Sequence, residues 1–420
     1  MKILKPSIFN QLFENADGER YAFSGSKGSL SKISNDETWG YLSGTTKDIP
    51  GCVESLVATG LVTPEGPNEL DALITHNRKK IENSPLALQI APTLACNFMC
   101  EGCIQGSTHR GAVMSEETQD ALLSFAESTR RDLSIGWYGG EPTLAIKAIS
   151  RMTSKFLALS EKTGVTYSAS MTTNGYLVTE DIARVLIEEL KIQRFQVTLD
   201  GLEEEHNRRR PMADGGMTFS QVLSGIKFLH GNGATVKVRI NIDNNNWGQV
   251  PDLLDLLKRE GLCEVLLTAG MKHGCSSDCD LMSMAEFAET FVAFQRLLYD
   301  NGFTRAANEH LPRPITNSCM MTNPHAYAIG PKGDICKCID QIGDPSGIIG
   351  NVHDGAILNH SCEDFPKSDS ICVSCSCLPI CMGGCPLRNN GPQECNSIWR
   401  SSAIKVLQEF VENRMSAESR

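Results

Sequence analysis

The sequence of 420 residues predicts an α/β protein followed by a loop-rich, cysteine-rich region. Between Leu86 and Asp300, short apolar runs typical of buried strands alternate with helical patterns. Beyond about residue 310 the alternation stops, and Gly, Pro, Asn and Cys dominate up to Asn396. The chain also contains 17 cysteines, most of them in two groups. These observations predict a parallel α/β domain and a C-terminal domain that bound metal holds together.

The composition excludes several classes of protein. With 41% hydrophobic and 21% charged residues the chain is globular. The absence of a run of eighteen apolar residues argues against a membrane span. A formal net charge of -11 argues against a nucleic-acid partner, since duplex binding depends on basic patches. The first twenty residues lack the features of a secretory signal, so we expect a cytoplasmic protein with no membrane or nucleic-acid partner.

Residues 1–85 are predicted to form a separate N-terminal domain. They hold no clustered cysteine, and a helical pattern occurs near Val53–Gly60. The charged stretch His76–Lys80 predicts an exposed linker. Pro85 marks the boundary, because the residue before a proline is disfavoured in a helix.

Six strand–helix units are predicted between residues 86 and 310. The strands are Leu86–Ala91, Leu133–Tyr138, Thr166–Met171, Phe195–Leu199, Thr235–Ile242 and Glu264–Thr268. The helices are Ser115–Thr129, Ala145–Lys162, Thr179–Leu190, Thr218–His230, Val250–Glu260 and Met284–Asp300, and one more follows at Ser397–Arg414. Alternation of this kind predicts a parallel sheet with right-handed crossovers. A doubly wound sheet and a partial barrel both satisfy it, and both place the site at the carboxyl ends of the strands.

A three-cysteine loop directly follows the first of these strands. Cys96, Cys100 and Cys103 are spaced C-x3-C-x2-C. Three thiolates at this spacing can hold a four-iron cluster and leave one iron without a protein ligand. The alternative is three free or zinc-bound cysteines.

This loop resembles that of the radical S-adenosylmethionine (SAM) enzymes. The resemblance implies a partial (β/α)6 barrel of the TIM type over residues 86–310. It also implies that the open iron binds the amino and carboxylate groups of SAM, whose reductive cleavage gives a 5′-deoxyadenosyl radical. The family's third cysteine usually follows an aromatic residue. Here Gly102 stands at that position, and it is kept as a candidate SAM contact.

A glycine-rich motif, Trp137-Tyr138-Gly139-Gly140-Glu141-Pro142, ends the second strand. Two glycines allow close backbone approach to a ligand, and a carboxylate can accept from an ammonium group. An ordinary turn is the alternative. Resemblance to the same family implies that Gly139, Gly140, Glu141 and Pro142 contact the amino group of SAM.

Polar residues end two further strands, at Thr172–Gly175 and Thr198–Gly201, and Arg239–Asn241 lies on the fifth strand. They could hold the ribose and carboxylate of SAM, position a substrate, or form capping turns. The resemblance favours Asn174, Asp200 and Arg209 as residues that line the SAM site.

Seven cysteines in the C-terminal region have spacings that resemble the SPASM domain of peptide- and protein-modifying radical SAM enzymes. They are Cys319, Cys338, Cys372, Cys375, Cys381, Cys385 and Cys395. Over residues 311–420 the resemblance implies two auxiliary clusters and thus three [4Fe-4S] clusters in all. Auxiliary cluster I would be held by Cys319, Cys338 and Cys385, and auxiliary cluster II by Cys372, Cys375, Cys381 and Cys395. A pair of zinc sites is the alternative.

Seven cysteines remain without a predicted ligand role: Cys52, Cys263, Cys275, Cys279, Cys336, Cys362 and Cys377. Six residues after Cys319, where some relatives supply a fourth ligand, the sequence has His325. Either His325 or a neighbouring cysteine completes auxiliary cluster I, or one iron stays open to a substrate thiolate.

The predicted function is modification of a ribosomally made precursor peptide to give a thioether or carbon–carbon crosslink. Its partners would be that peptide and an electron donor such as flavodoxin or ferredoxin. Residues 1–85 resemble the small domains that such enzymes use near a leader peptide, although simple packing on the barrel is the alternative.

Other functions stay open at this point. A sulfatase-maturing enzyme would make formylglycine, but its catalytic Asp directly follows the cysteine equivalent to Cys338, whereas here Ile339 intervenes before Asp340. A peptide epimerase and a non-catalytic iron–sulfur electron carrier are further alternatives.

Overall fold

The computed structural model describes residues 3–66, 68–105, 111–272, 281–315, 319–357, 370–388, 395 and 397–418. Its strands are β1 (Leu4–Pro6), β2 (Asn10–Glu14), β3 (Arg20–Ser24), β4 (Ser29–Ile33), β5 (Val62–Pro64), β6 (Leu86–Ile90), β7 (Leu133–Trp137), β8 (Tyr167–Thr173), β9 (Ile192–Thr198), β10 (Thr235–Ile242), β11 (Leu266–Met271), β12 (Ala326–Ile329), β13 (Asp334–Cys336), β14 (Ile348–Asn351) and β15 (Ala356–Ile357). Its helices are α1 (Asp36–Ser43), α2 (Val53–Ala58), α3 (Glu69–Glu82), α4 (Glu116–Thr129), α5 (Ile146–Thr163), α6 (Glu180–Arg184), α7 (Glu203–Arg209), α8 (Phe219–Gly231), α9 (Val250–Arg259), α10 (Met284–Asp300), α11 (Thr304–Glu309), α12 (Leu378–Cys381) and α13 (Trp399–Glu418). None of these helices is both long and apolar enough to cross a membrane.

A sheet of ten strands forms the centre of the molecule, in the order β11-β10-β9-β8-β7-β6-β12-β13-β14-β15. From β6 to β11 each strand pairs in parallel with the next in the chain. The predicted parallel sheet is therefore confirmed. Strand order within these six shows no reversal, which a doubly wound sheet requires. This order supports the partial barrel, whose curvature stays a prediction.

The two faces of the parallel strands differ because successive side chains point to opposite sides. In β6, Leu88 and Ile90 belong to the main hydrophobic core, whereas Gln89 lines a cavity. In β10, Val238 is buried in the same core, and Arg239 lines the cavity. The apolar face thus packs in the core and the polar face surrounds the candidate site.

Side-chain caps fix where the helices begin. The Ser115 Oγ accepts a hydrogen bond from the backbone N–H of Thr118 at 3.2 Å and so caps α4. Ser283 and Glu286 form a reciprocal capping box at the start of α10. The helix predicted at 179–190 is instead α6 followed by a π-helical turn, Val185–Glu189.

The C-terminal region continues the same sheet. β12 pairs in parallel with β6, and β13 to β15 extend the sheet by antiparallel pairing. No strand was predicted here, and the boundary at residue 310 does not interrupt the sheet. α13 packs against α10 and also against β2 of the N-terminal region.

The N-terminal region contains an antiparallel sheet, β2-β3-β4, and a separate β1–β5 pair. The predicted linker at His76–Lys80 is wrong, because these residues lie inside α3. The Asn68 side chain caps this helix by accepting from the Leu70 N–H at 3.0 Å. Charged residues such as Lys and Arg are good helix formers, so a charged stretch alone does not indicate a linker.

One hydrophobic cluster joins the N-terminal and C-terminal regions. Its buried members are Phe13, Tyr21, Phe23, Cys377, Ile380, Ala403, Leu407 and Val411. In addition, the Gln408 side chain donates to the backbone carbonyl of Glu14 at 2.8 Å. The sheet of the N-terminal region is therefore packed on α13 and on the cysteine-rich loops.

Candidate active site

The three-cysteine loop and the glycine-rich loop line one cavity at the carboxyl ends of the parallel strands. Its volume is about 410 Å³, within the range of small-molecule sites. The cavity brings together most of the predicted SAM contacts and ligands. Its lining includes Cys96, Cys100, Gly102, Cys103, Tyr138, Gly139, Gly140, Asn174, Asp200, Arg209, Arg210, Arg239, Lys272 and Asp340.

The three thiols lie close enough to influence one another. Burial raises the pKa of Cys96 to about 12, and the neighbouring Cys100 and Cys103 add to that rise. Burial also raises the pKa of Cys100, against which the positive charge of Arg210 acts. A cationic metal centre would displace the thiol protons and relieve this repulsion, so the three residues fit a cluster-binding role.

The glycine-rich loop packs directly on the backbone that leads into the three-cysteine loop. Gly139 has φ +121°, and a Cβ there would lie 2.3 Å from the carbonyl oxygen of Thr93. A Cβ on Gly140 would lie 2.3 Å from the carbonyl oxygen of Ala95. Glycine is therefore required at both positions by this close backbone approach, besides any contact with a ligand.

Glu141 does not line the cavity, unlike the two glycines before it. Its buried carboxylate accepts from the Thr143 N–H at 3.0 Å, from the hydroxyls of Thr143 at 2.6 Å and Thr173 at 2.7 Å, and from the Asn174 N–H at 2.7 Å. A carboxylate has about four acceptor sites, so these donors occupy it. Burial raises the pKa of Glu141, and the hydrogen bonds oppose the rise. The side chain positions the loop, and Pro142 begins the 3-10 turn behind it, while a contact of Glu141 with the amino group of SAM stays a prediction.

Asp200 connects three parts of the cavity wall. Its Oδ1 accepts from the backbone and side-chain N–H groups of Asn241 at 2.8 and 2.9 Å, and its Oδ2 lies 3.5 Å from Arg210. Its own backbone N–H donates to His206 Nδ1 at 3.2 Å. Burial, with a contribution from Arg210, lowers the pKa of His206 to about 3. His206 is a neutral positioning residue that we did not predict.

Arg209 and Arg210 differ in their partners. The guanidinium of Arg209 is 2% exposed, lies 2.6 Å from Asp243 and also pairs with Glu205. Arg210 lines the cavity together with the three thiols. Burial acts most strongly to lower its pKa, but the negative charges of Cys100, Asp200, Cys103 and Cys96 produce a net rise. Arg210 is thus the better placed of the two for an anionic ligand, although Arg209 was the residue predicted.

Comparison with known proteins bears on this geometry. Residues 90–257, which contain the three-cysteine loop and the glycine-rich loop, match the model of the Radical SAM superfamily. These residues form a radical SAM domain. SAM and a [4Fe-4S] cluster are the cofactors of that family, and the cysteines and glycines of the cavity fit both.

The similarity of this chain to known proteins extends beyond the radical SAM domain. The chain is 23% identical over 325 residues to the serine-type anaerobic sulfatase-maturating enzyme of Klebsiella aerogenes. This alignment covers 70% of this chain and 78% of that enzyme. Among solved structures, anSMEcpe with bound AdoMet and Cp18Cys peptide matches with a TM-score of 0.58 and 18% identity, covering 80% of this chain and all of that one. SuiB of Streptococcus suis, bound to precursor peptide SuiA, matches with a TM-score of 0.54 and 16% identity over 94% and 99% of the two chains. These likenesses show the fold.

Outside the radical SAM domain, a second cavity collects the four cysteines predicted for auxiliary cluster II. Its lining contains Cys372, Cys375, Cys381 and Cys395, together with Cys377 and Arg400. Burial raises the pKa of Cys381, and Cys395 and Cys372 add to the rise. A hydrogen bond from Cys377 lowers the pKa of Cys375 to about 6. These four thiols therefore share one small site.

The three cysteines predicted for auxiliary cluster I are also neighbours. Burial raises the pKa values of Cys319 and Cys338. The charge of Cys385 adds to the rise at both thiols, and that of Cys319 adds to the rise at Cys338. Asp340 acts on the same two thiols, and its backbone N–H hydrogen-bonds to the Cys338 sulfur. Asp340 also helps to raise the pKa of Tyr138 to about 12, after burial. It therefore lies between this site and the cavity of the radical SAM domain.

The remaining cysteines have varied surroundings. Cys336 is buried within β13 and donates to the Gln341 carbonyl at 3.5 Å, and Cys377 is buried in the cluster that joins the two terminal regions. Cys52 is exposed, and Cys263 is half-buried. Cys275, Cys279 and Cys362 lie outside the described residues. His325 stands just before β12, where burial and the charges of Arg131 and Lys337 lower its pKa.

Proposed function

We propose that this radical SAM enzyme abstracts hydrogen from a ribosomally made precursor peptide and forms an intramolecular thioether or carbon–carbon crosslink. The observation that carries the proposal is the grouping of ten cysteines into three sites, one of them in the SAM cavity. Two solved structures of similar fold contain a bound peptide, which supports a peptide substrate. The reaction class would be that of an oxidoreductase.

One set of cavity residues would hold the cluster, and another set would bind SAM. Cys96, Cys100 and Cys103 would hold the first [4Fe-4S] cluster, which when bound supplies the electron for reductive SAM cleavage. Gly102, Gly139, Gly140, Asn174 and Asp200 would contact SAM. Arg210 would bind its carboxylate, because the Arg209 guanidinium is already paired with two carboxylates.

The C-terminal sites would hold two auxiliary [4Fe-4S] clusters. Cys372, Cys375, Cys381 and Cys395 would provide four ligands, and Cys319, Cys338 and Cys385 three. An external reductant such as flavodoxin or ferredoxin would supply electrons to the protein. His325, a neighbouring cysteine or a substrate thiolate would complete auxiliary cluster I.

Asp340 is the proposed proton acceptor. Closing a thioether removes one hydrogen atom, one thiol proton and one electron from the peptide, so the site needs a base. Asp340 lines the SAM cavity and lies beside Cys319 and Cys338. A carboxylate at this junction could take the proton where the auxiliary site meets the substrate.

Formylglycine formation is the second candidate, favoured by the same aspartate. The similar Klebsiella aerogenes protein is a serine-type anaerobic sulfatase-maturating enzyme. Although Ile339 separates Asp340 from Cys338, the structure still brings Asp340 to the SAM cavity. The displacement in sequence therefore does not exclude this chemistry.

The N-terminal sheet is the proposed leader-binding element. Among the described strands β4 pairs only with β3, so its other edge can accept an added peptide strand. The opposite side of the sheet, at β2, is packed against α13.

Three measurements test the proposal. Anaerobically reconstituted protein should bind about twelve irons, and a value near four or stoichiometric zinc would contradict the two auxiliary sites. The variant with Cys96, Cys100 and Cys103 all changed to Ala should make no 5′-deoxyadenosine, and continued production would exclude the assigned site. Mass spectrometry of a neighbouring-gene peptide co-expressed with the enzyme should show loss of two hydrogens together with loss of one alkylatable thiol for a thioether.

The same peptide experiment separates the alternatives. Reaction of the product with a hydrazide would instead indicate formylglycine. An unchanged mass with an altered residue configuration would indicate epimerisation.

A further inference from the structure

Lys337 is a buried lysine between two cysteines of the C-terminal region. Lys337 is 2% exposed, and its side chain is among the largest fully buried ones in the described part of the chain. The Nζ donates to the backbone carbonyls of Asn323 at 2.6 Å and Ala326 at 2.8 Å, and lies 4.6 Å from the ring centre of Tyr327. Burying an ammonium group is costly, so its position calls for an explanation.

The two carbonyls belong to the segment that follows Cys319. The backbone N–H groups of Thr322 and Asn323 both donate to the Cys319 carbonyl, at 2.9 and 3.1 Å. This turn leads into β12, which pairs with β13 directly before Lys337. The ammonium therefore ties the turn that begins at Cys319 to the strand that leads into Cys338.

We propose that Lys337 is a positioning residue for auxiliary cluster I, holding its ligands Cys319 and Cys338 together and placing a fixed positive charge beside them. This inference rests on the proposed function, since it requires a cluster at that site. The Lys337 Nζ donates to the carbonyl of Asn323, whose own N–H donates to the Cys319 carbonyl, so the ammonium charge lies one turn from the Cys319 backbone. A nearby cation favours the reduced form of a cluster, which carries more negative charge, so Lys337 raises the reduction potential of auxiliary cluster I.

Three variants separate the effects of charge and structure. Lys337→Met removes the charge and keeps an unbranched side chain, Lys337→Gln keeps a donor without charge, and Lys337→Arg keeps the charge. Lys332→Met is the matched control, because Lys332 is exposed on the turn between β12 and β13.

Reductive titration with dithionite, followed by electron paramagnetic resonance, measures the midpoint reduction potential of auxiliary cluster I and so tests the effect of the charge. The titration uses a variant in which Cys96, Cys100 and Cys103 are all changed to Ala, so that only the auxiliary clusters remain. The resonance signal that disappears when Cys338 is also changed to Ala is assigned to auxiliary cluster I. We expect Lys337→Met and Lys337→Gln to shift that midpoint to more negative potential, while Lys337→Arg and Lys332→Met match the parent. An unchanged midpoint in Lys337→Met, or an equal shift in Lys337→Arg, would overturn the charge assignment.

Alkylation of the metal-free protein tests, without any cluster present, whether Lys337 holds the turn that begins at Cys319. Iodoacetamide should modify Cys319 several-fold faster in Lys337→Met than in Lys332→Met, and equal rates would overturn this part. If Lys337→Met does not fold, Lys337→Gln gives the same two comparisons. Wild-type protein with about four irons and no auxiliary signal would refute the proposed function, and the alkylation rates would still decide the role of Lys337 in holding the turn.

Discussion

The Oε2 of Glu141 accepts a hydrogen bond from the backbone N–H of Asn174 at 2.7 Å. This bond joins the loop after β7 to the end of β8, and Oε1 reinforces it through Thr143 and Thr173. The loop that carries Gly139 and Gly140 is therefore fixed from below by a buried carboxylate. The contribution of this carboxylate to the stability of the protein can be measured separately from SAM binding.

Replacing Glu141 with Ala should lower the free energy of unfolding of the metal-free protein by about 3 kcal/mol, because buried donors lose their acceptor. Denaturation by urea measures the change. Glu161→Ala, at an exposed position of α5, should stay within about 0.5 kcal/mol of wild type. Equal stability of the two variants would show that the buried hydrogen bonds contribute little.

Replacing Gly139 with Ala should cost about 3 kcal/mol or more and abolish SAM binding, since the new Cβ meets a backbone carbonyl at 2.3 Å. Gly164→Ala is the control. Gly164 also has positive φ, +77°, but a Cβ there meets nothing within 4 Å, so the change should cost only about 1 kcal/mol. Thermal melting and calorimetric SAM titration would compare them, and normal SAM binding by Gly139→Ala would contradict the close packing of the loops.

Arg209 and Arg210 should behave differently when each is changed to Met. Arg209→Met removes the 2.6 Å ion pair of the buried Asp243 and one of the two arginine partners of Glu205, so stability should fall by about 3 kcal/mol. Arg210→Met should weaken SAM binding roughly tenfold, about 1.4 kcal/mol, with a smaller loss of stability. Unfolding curves and SAM titration of the reconstituted proteins check both. The opposite pattern would make Arg209 the ligand-binding residue.

His206 should make the protein sensitive to acid. Its pKa is lowered to about 3 in the folded state, so protonation favours the unfolded chain. The stabilisation is fully present above the unfolded pKa of about 6.5 and is lost as the pH falls towards 3, amounting to about 2 kcal/mol between pH 7 and pH 5. His206→Asn should show a pH dependence smaller by that amount in urea denaturation at the two pH values. An identical slope in variant and wild type would show that His206 does not titrate on unfolding.

The parallel strands and their helices could be predicted because their signals are local. Alternating apolar and polar stretches located β6 to β11 and the helices between them, and the spacing of Cys96, Cys100 and Cys103 indicated the first site. The carboxyl ends of parallel strands then had to meet at one edge, and the cavity there does contain Asn174 and Asp200.

Features that depend on distant contacts could not be predicted in this way. β12 has only four residues and joins the sheet beside β6, far away in the sequence. The distinction between Arg209 and Arg210 depends on where α7 ends, because one residue turns a helix by about 100°. Glu141 resembles a ligand-binding carboxylate in sequence, and only its buried donors reveal its structural role.

The packing of β2 and β3 on α13 has a consequence for the order of assembly. Gln408 and Glu14, which are hydrogen-bonded, lie 394 residues apart in the chain. During synthesis, Phe13, Tyr21 and Phe23 must stay without their C-terminal neighbours until almost all of the described chain has emerged. Completion of the cluster that these aromatic residues share with Cys377 and α13 is thus a late event. Nascent chains of this protein would therefore need protection of that apolar surface until α13 has emerged.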